Sequence, residues 1–440
     1  MPGRVRSPKS RSRPRATSAR PSRAAARTRP RVLTGLDVLE REQPRWLRGR
    51  RVGLLMHPAS VTAARRSALD VVAGLCAEKL KALFGPQHGL AGEKQDNMIE
   101  SPHARDSGHR IPIHSLYSET RRPTPGMLEE LDLLLVDLQD VGTRVYTFEW
   151  TMAMALEACA EAGKEVVVLD RPNPLGGNAV EGNLVRPGYS SFVGLYPVPM
   201  RHGLTLGEMA AYVNAQLAGS QDRGRPPRPR RDGPGVECPG ACALTVVPMR
   251  GWRRAMRFVD TRLPWVLPSP NMPTPDTADV YPGQVLLEGT NLSEGRGTTK
   301  PFELFGAPFL DVEALRERLS GRRLGGCHLR PHAFQPTFHK WAGQVCQGFQ
   351  IHVTDPARFR PYDTTLAVLQ EIITLHRAHF EWKQPPYEYV TDRLPIDVIT
   401  GDPAVREALE SGTDLEELCA SWRDEERAFR RGSRRFHLYR

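Results

Sequence analysis

The stretch Glu288–Glu303, EGTNLSEGRGTTKPFE, gathers three carboxylates (Glu288, Glu294, Glu303), two cations (Arg296, Lys300), the amide of Asn291, four hydroxyls and three glycines, with almost nothing apolar. A core element cannot have this composition. Polar groups this dense stay ordered only where they meet partners, and glycines admit close backbone approach or positive φ. The segment therefore reads as one wall of a site for a polar ligand. Further groups able to hold or move protons cluster at the ends of apolar runs. Asp137, Asp140, Arg144 and Tyr146 follow LDLLLV; Asp170, Arg171 and Asn173 follow EVVVL; Gln87 and His88 lie in GPQHG; Glu181 lies in VEGN, and Arg201 and His202 in RHG. A carboxylate beside an arginine stays ionised, whereas a desolvated one keeps its proton near neutral pH. That pairing is what glycoside hydrolysis requires, so a sugar suits this wall. Asp170 and Arg171 also fit an internal salt bridge that fixes a turn.

The elements that must position these groups alternate. RVGLLM, KALF, IPIHSLY, LDLLLVD and EVVVLD read as strands, and helical patterns follow the first (Leu69, Val72, Leu75, Leu80) and the fourth (Thr143–Ala162). The near-continuous apolar run at residues 131–138 suits a central parallel strand. Such alternation predicts an α/β fold with a doubly wound parallel sheet, whose ligands bind beyond the carboxyl ends of the strands. Tyr196–Gly203 reads as a further strand, followed by a helix whose Thr205 and Glu208 have capping-box spacing. Residues 219–241 are rich in Arg, Pro and Gly and read as a surface insertion, LTVVPMRGW resumes strand character, and Leu263–Gly283 forms a proline-stiffened wall. Beyond about residue 310, a helix near 311–319, a strand at GFQIHVTD and a helix at 365–376 predict a smaller α+β domain. The expected division is an arm at 1–32, an α/β domain at 33–305 and an auxiliary domain at 306–440.

The 440-residue chain carries a formal charge of +11, and residues 1–31 hold ten arginines, Lys9 and no acid, so the remainder is neutral. The arm lacks periodic apolar residues and fits a disordered segment able to touch nucleic acid or an anionic surface nonspecifically. The folded part has no basic signature. No run reaches the roughly 18 apolar residues of a membrane span, and the arm has no apolar leader core, so the expectation is a cytoplasmic protein as written, periplasmic or secreted if the start site lies elsewhere. The seven cysteines fit reduced thiols, and Cys238 and Cys242 lack the second pair that a zinc site needs. GxGxxG, P-loop, GxSxG and HExxH patterns are absent, which removes the usual support for nucleotide binding, serine hydrolysis and zincin chemistry.

With these residues in view, the chain from Leu33 onward resembles the DUF1343 family of exo-β-N-acetylmuramidases. The resemblance rests on FGPQHG, SLY, PTPGML, VDLQDVGTRVYT, VVLDRPNPLGG, VEGN, RHGLTLGE, GWRR, PSPNMPTPDTA and EGTNLSEGRGTTKPFE. It implies a Rossmann-like domain with a smaller C-terminal one, and release of terminal N-acetylmuramic acid from peptidoglycan fragments. One departure matters. The family carries Glu, its favoured acid, where this chain has Gln87, and an amide cannot donate a carboxylic proton. Either another carboxylate takes the role, with Glu93 and Glu294 the candidates, or the chain does other chemistry or binds sugar without turnover. Glu93, Asp140 and Glu294 are expected to carry proton transfer or charge stabilisation. Gln87, His88, Arg144, Tyr146, Asp170, Arg171, Asn173, His202, Asn271, Asn291 and Arg296 are expected to hold a muramic-acid saccharide, with neither metal nor cofactor.

Overall fold

The computed structural model describes residues 3, 32–96, 98–219, 227–322 and 324–440, and the described residues from 32 onward belong to one compact unit. The basic arm, apart from Gly3 and Val32, and residues 220–226 of the expected insertion lie outside the described residues, as does any nucleic-acid contact of the arm.

Twelve strands are described: β1 Val52–Met56, β2 Leu80–Gly85, β3 Ala104–Arg105, β4 Pro112–Ser115, β5 Leu133–Asp137, β6 Glu165–Leu169, β7 Arg228–Pro229, β8 Val236–Cys238, β9 Ala243–Val247, β10 Leu304–Ala307, β11 Cys327–Phe334 and β12 Cys346–Val353. The first nine form one sheet in the order β3-β4-β2-β1-β5-β6-β9-β8-β7. Its six central strands, β4 to β9 in that order, run parallel, and short antiparallel strands close both edges. The apolar runs explain why these strands are central: on β5, Leu133 and Leu135 pack into the core on one face of the sheet, and Leu134 and Val136 into the core on the other. Helices Gly35–Glu42 and Ala68–Cys76 cover the first face, and Phe148–Glu161 and Leu206–Leu217 the second. The sheet is doubly wound, as the alternation predicts.

Three expectations need correction. Tyr196–Gly203 is not a strand: Pro197 and Pro199 have no N–H to donate, and only isolated pairings of Arg201 with Thr143 and Glu181 form. The helix expected from Thr143 starts at Phe148, which leaves Thr143–Thr147 as turns. The expected insertion supplies β7 and β8 to the sheet edge. The capping box at Thr205 is present, with the Thr205 N–H donating to Glu208 Oε2 at 3.1 Å.

The C-terminal part holds a three-stranded antiparallel sheet, β10-β12-β11, in which β11 was not legible as a strand, and the helices Pro361–Leu375 and Leu415–Ser433. It joins the first part through helix Pro275–Gln284, and a Cβ at Gly283 would collide with the carbonyl of Pro361. Among the described residues no helix is long and apolar enough to cross a membrane.

Candidate active site

The carboxyl ends of β2 and β5 supply the floor of a cleft. After β5 the chain turns at Gly142, whose N–H donates to Asp140 Oδ2 at 2.6 Å; its φ of 75° and the Asn173 side chain pressed against it leave no room for a Cβ. The turns that follow bring Tyr146 and Thr147 into the cleft. After β2, Gln87 and His88 face them. Thr147 Oγ1 donates to Gln87 Oε1 at 2.6 Å. The proline-rich wall contributes Ser269 and Asn271, and His57 pins it in place: its Nε2 accepts from the Gln139 N–H at 2.8 Å, so Nδ1 carries the proton and donates to the Pro268 carbonyl at 3.1 Å. Burial pushes the His57 pKa down to about 3, and the ring is neutral.

The segment 288–303 forms the opposite side. Gly295 and Gly297 hold φ of 78° and 79°, and Gly297 lies against the backbone of Thr337 and Phe338 from the C-terminal part. Glu288 accepts from Arg296 Nη2 at 2.6 Å and from the Tyr387 hydroxyl at 2.7 Å. Glu294 sits behind it, 3.2 Å from Arg296 Nε, 2.9 Å from Lys340 Nζ and 3.2 Å from His339 Nδ1. Burial alone would raise its pKa, but Lys340, His339 and Arg296 override it and hold Glu294 well below the usual carboxylate range. Arg296 Nη1 finds no hydrogen-bond partner among the described residues, although it is buried at the cleft.

The residue that sequence reasoning missed is Glu388. It accepts from Gln87 Nε2 at 3.1 Å, across 301 positions of chain, and from the Tyr117 hydroxyl at 2.8 Å. Burial, reinforced by neighbouring Glu288, outweighs these two donors and pushes its pKa up to about 7. The available signal was PPYEY, an acid bracketed by tyrosines after two prolines. His88 donates from Nδ1 to the Lys94 carbonyl at 2.7 Å, and burial lowers its pKa to about 4, so the neutral ring keeps a lone pair on Nε2.

Of the expected residues, Gln87, His88, Tyr146, Asn271 and Arg296 line this cleft, with Glu294 one contact behind. The others do not line it. Glu93 has a half-exposed side chain 3.9 Å from Lys94 Nζ. Arg144 is fully buried and donates to the carbonyls of Asn183, Val198, Ile399 and Thr400. Arg171 grips Asp137 with two bonds, of 2.6 and 2.8 Å. Asp170 accepts from Thr205, the Gly207 N–H and Tyr439 rather than pairing with its neighbour's guanidinium. Asn173 donates to the Leu204 carbonyl, and Asn291 to that of His379. These groups spend their hydrogen bonds on the protein, because turns at strand ends contain backbone groups that must be satisfied.

Asp140, Glu149 and His202 lie together with ligand atoms within 4.8 Å of one another, all buried. The Leu204 N–H donates to His202 Nδ1 at 3.1 Å, so the ring proton sits on Nε2, 3.1 Å from Glu149 Oε2. A protonated Nε2 cannot bind a cation. The trio is better suited to holding protons: burial, then the Glu149 charge, pushes Asp140 up to about 8, and burial raises Glu149 well above its ordinary value. A roomier hollow of about 480 Å³, lined by Arg257, Asp279, Lys300 and Glu303, has its cations paired off with its acids.

A cleft at the carboxyl edge of a parallel sheet that brings an ion-paired carboxylate beside a protonatable one holds the groups that glycosidases use. The family model of the exo-β-N-acetylmuramidase NamZ matches here, its N-terminal domain at residues 52–276 and its C-terminal domain at 279–439. The chain is 41% identical over 425 residues to the peptidoglycan β-N-acetylmuramidase NamZ of Bacillus subtilis (strain 168), covering 96% of this chain and 95% of that relative. Crystal structures of two DUF1343 family proteins of Bacteroides fragilis NCTC 9343 superpose with TM-scores of 0.80 and 0.68, at 34% and 25% identity; each alignment covers 93% of this chain and 99% of the other. The chain belongs to the NamZ family, which is the DUF1343 family expected from its motifs.

Proposed function

We propose that this protein is an exo-acting glycosidase that removes terminal N-acetylmuramic acid from peptidoglycan-derived saccharides by carboxylate acid/base catalysis. The observation that carries this reading is the cleft itself, where Glu288 is paired with Arg296 and Tyr387 beside a second buried carboxyl group, Glu388, whose side-chain hydrogen-bond partners among the described residues are neutral. The arginine-paired member stabilises positive charge developing at the anomeric carbon, and the other exchanges the proton of the leaving oxygen. The free Nη1 of Arg296 supplies a donor for an anionic substituent such as the lactyl carboxylate. Incubation with 4-nitrophenyl N-acetylmuramide and the matching N-acetylglucosaminide tests this. Turnover of the first and not the second is expected, and a folded protein that cleaves neither refutes the reading.

Gln87 favours one alternative, a sugar-binding protein without turnover, because the resemblance implies an acid at this position and an amide cannot donate a carboxylic proton. Saturable binding of a muramic-acid disaccharide by calorimetry, with no product after prolonged incubation, is the outcome that reading requires.

A further inference from the structure

We infer that Glu388 is the proton donor of this site and that Gln87 acts on it as a positioning residue. The inference rests on the glycosidase reading and goes on to name the group that supplies the proton.

Elimination within the cleft leads there. Glu288 spends its oxygens on a guanidinium at 2.6 Å and the Tyr387 hydroxyl at 2.7 Å, and Glu294, surrounded by Arg296, His339 and Lys340, is held ionised. His88 presents a lone pair rather than a proton. The phenols of Tyr146 and Tyr387 are pushed above their ordinary values by burial. Glu388 alone among these cleft groups combines a carboxyl, complete burial and neutral hydrogen-bond partners, and its pKa of about 7 fits an acid working near neutrality. The local backbone supports a functional role. Glu388 and Tyr389 hold φ of 43° and 67°, a conformation non-glycine residues rarely adopt, fixed by paired Tyr387–Val390 backbone bonds. Gln87 is in turn held by Thr147, so its amide donor is aimed at Glu388 Oε1.

In the step, the Glu388 O–H gives its proton to the glycosidic oxygen as the C1–O bond breaks, and that electron pair leaves with the departing alcohol. Glu288 faces the resulting oxocarbenium charge. A water molecule then adds its oxygen to C1 and passes a proton to the Glu388 carboxylate, restoring the acid. The net change is glycoside plus water to a hemiacetal sugar and an alcohol.

The test compares Glu388→Gln with wild type on a disaccharide, whose leaving group needs protonation, and on a 2,4-dinitrophenyl glycoside, whose leaving group does not. Loss of about 10³-fold on the disaccharide and under about 10-fold on the aryl glycoside is expected, together with disappearance of the alkaline limb near pH 7. Gln87→Leu, which removes a donor to the carboxylate, should move that limb upward by about one pH unit. Equal losses on both substrates with an unchanged melting temperature, or an unchanged alkaline limb, would overturn the assignment while leaving the glycosidase reading intact. Wild-type protein inactive on both substrates would overturn the two together, a failure visible before any variant is made.

Discussion

Lys340 offers a direct measure of how the acidic segment is held over the cleft. Its Nζ donates to the carbonyls of Leu287 and Leu292 and to Glu294 Oε2, at 2.7, 2.9 and 2.9 Å, so one ammonium clamps three points of the loop. Lys340→Met keeps the stem and removes the charge. Breaking a buried pair by deleting one partner costs about 3–5 kcal/mol. With an unfolding entropy of about 2.1 cal/mol/K per residue over roughly 400 residues, that loss lowers Tm by about 4–6 °C. The pH dependence follows from Glu294. Its folded pKa lies below its unfolded value, so the stabilisation is present above about pH 4.3 and fades as pH falls through the folded value. Scanning calorimetry of both proteins should therefore show the full deficit at pH 7 and a smaller one at pH 3.5. A Tm drop below about 1 °C, or one of equal size at both pH values, would refute the clamp.

Other consequences can be checked alongside it. Asp140, raised to about 8 from 3.8, holds a proton in the folded protein that the unfolded chain releases, so wild-type stability falls as pH rises between those values. Asp140→Asn should gain stability relative to wild type from pH 5 to 8 in denaturant titrations. Arg296→Lys keeps one charge but cannot span Glu288 and Glu294, and should raise KM for a muramic-acid glycoside about 10-fold in steady-state assays. Arg171→Met, by orphaning buried Asp137, should cost about 3–5 kcal/mol of stability in denaturant titrations, while the folded fraction keeps its kcat.

The parallel sheet was legible because β1, β2, β5 and β6 are written as short apolar runs that end in polar turns, and burial on both faces demands that pattern. The hydrogen-bond partners of those turns were not. Arg144, Arg171, Asp170 and Asn173 look like ligand groups in one dimension, yet each satisfies backbone or a buried acid, because a strand end leaves unpaired carbonyls and N–H groups that nothing in the local sequence reveals. The segment 288–303 was readable as a polar wall, since no apolar surface could have held it. Glu388 was hidden for the opposite reason. Its significance comes from Gln87 and Tyr117, which precede it by hundreds of residues, and neither periodicity nor spacing carries information over that range.

The contact between Gln87 and Glu388 closes a loop of 301 positions, and Tyr117 reaches the same carboxyl across 271. Ends so far apart meet only after the intervening strands and helices have condensed, because the chain entropy surrendered on closure is recovered by packing that must already exist. On refolding from denaturant, far-ultraviolet dichroism should thus return before the ability to turn over substrate. Halves of the protein cut between the two matched regions should each be inert, whatever secondary structure they regain.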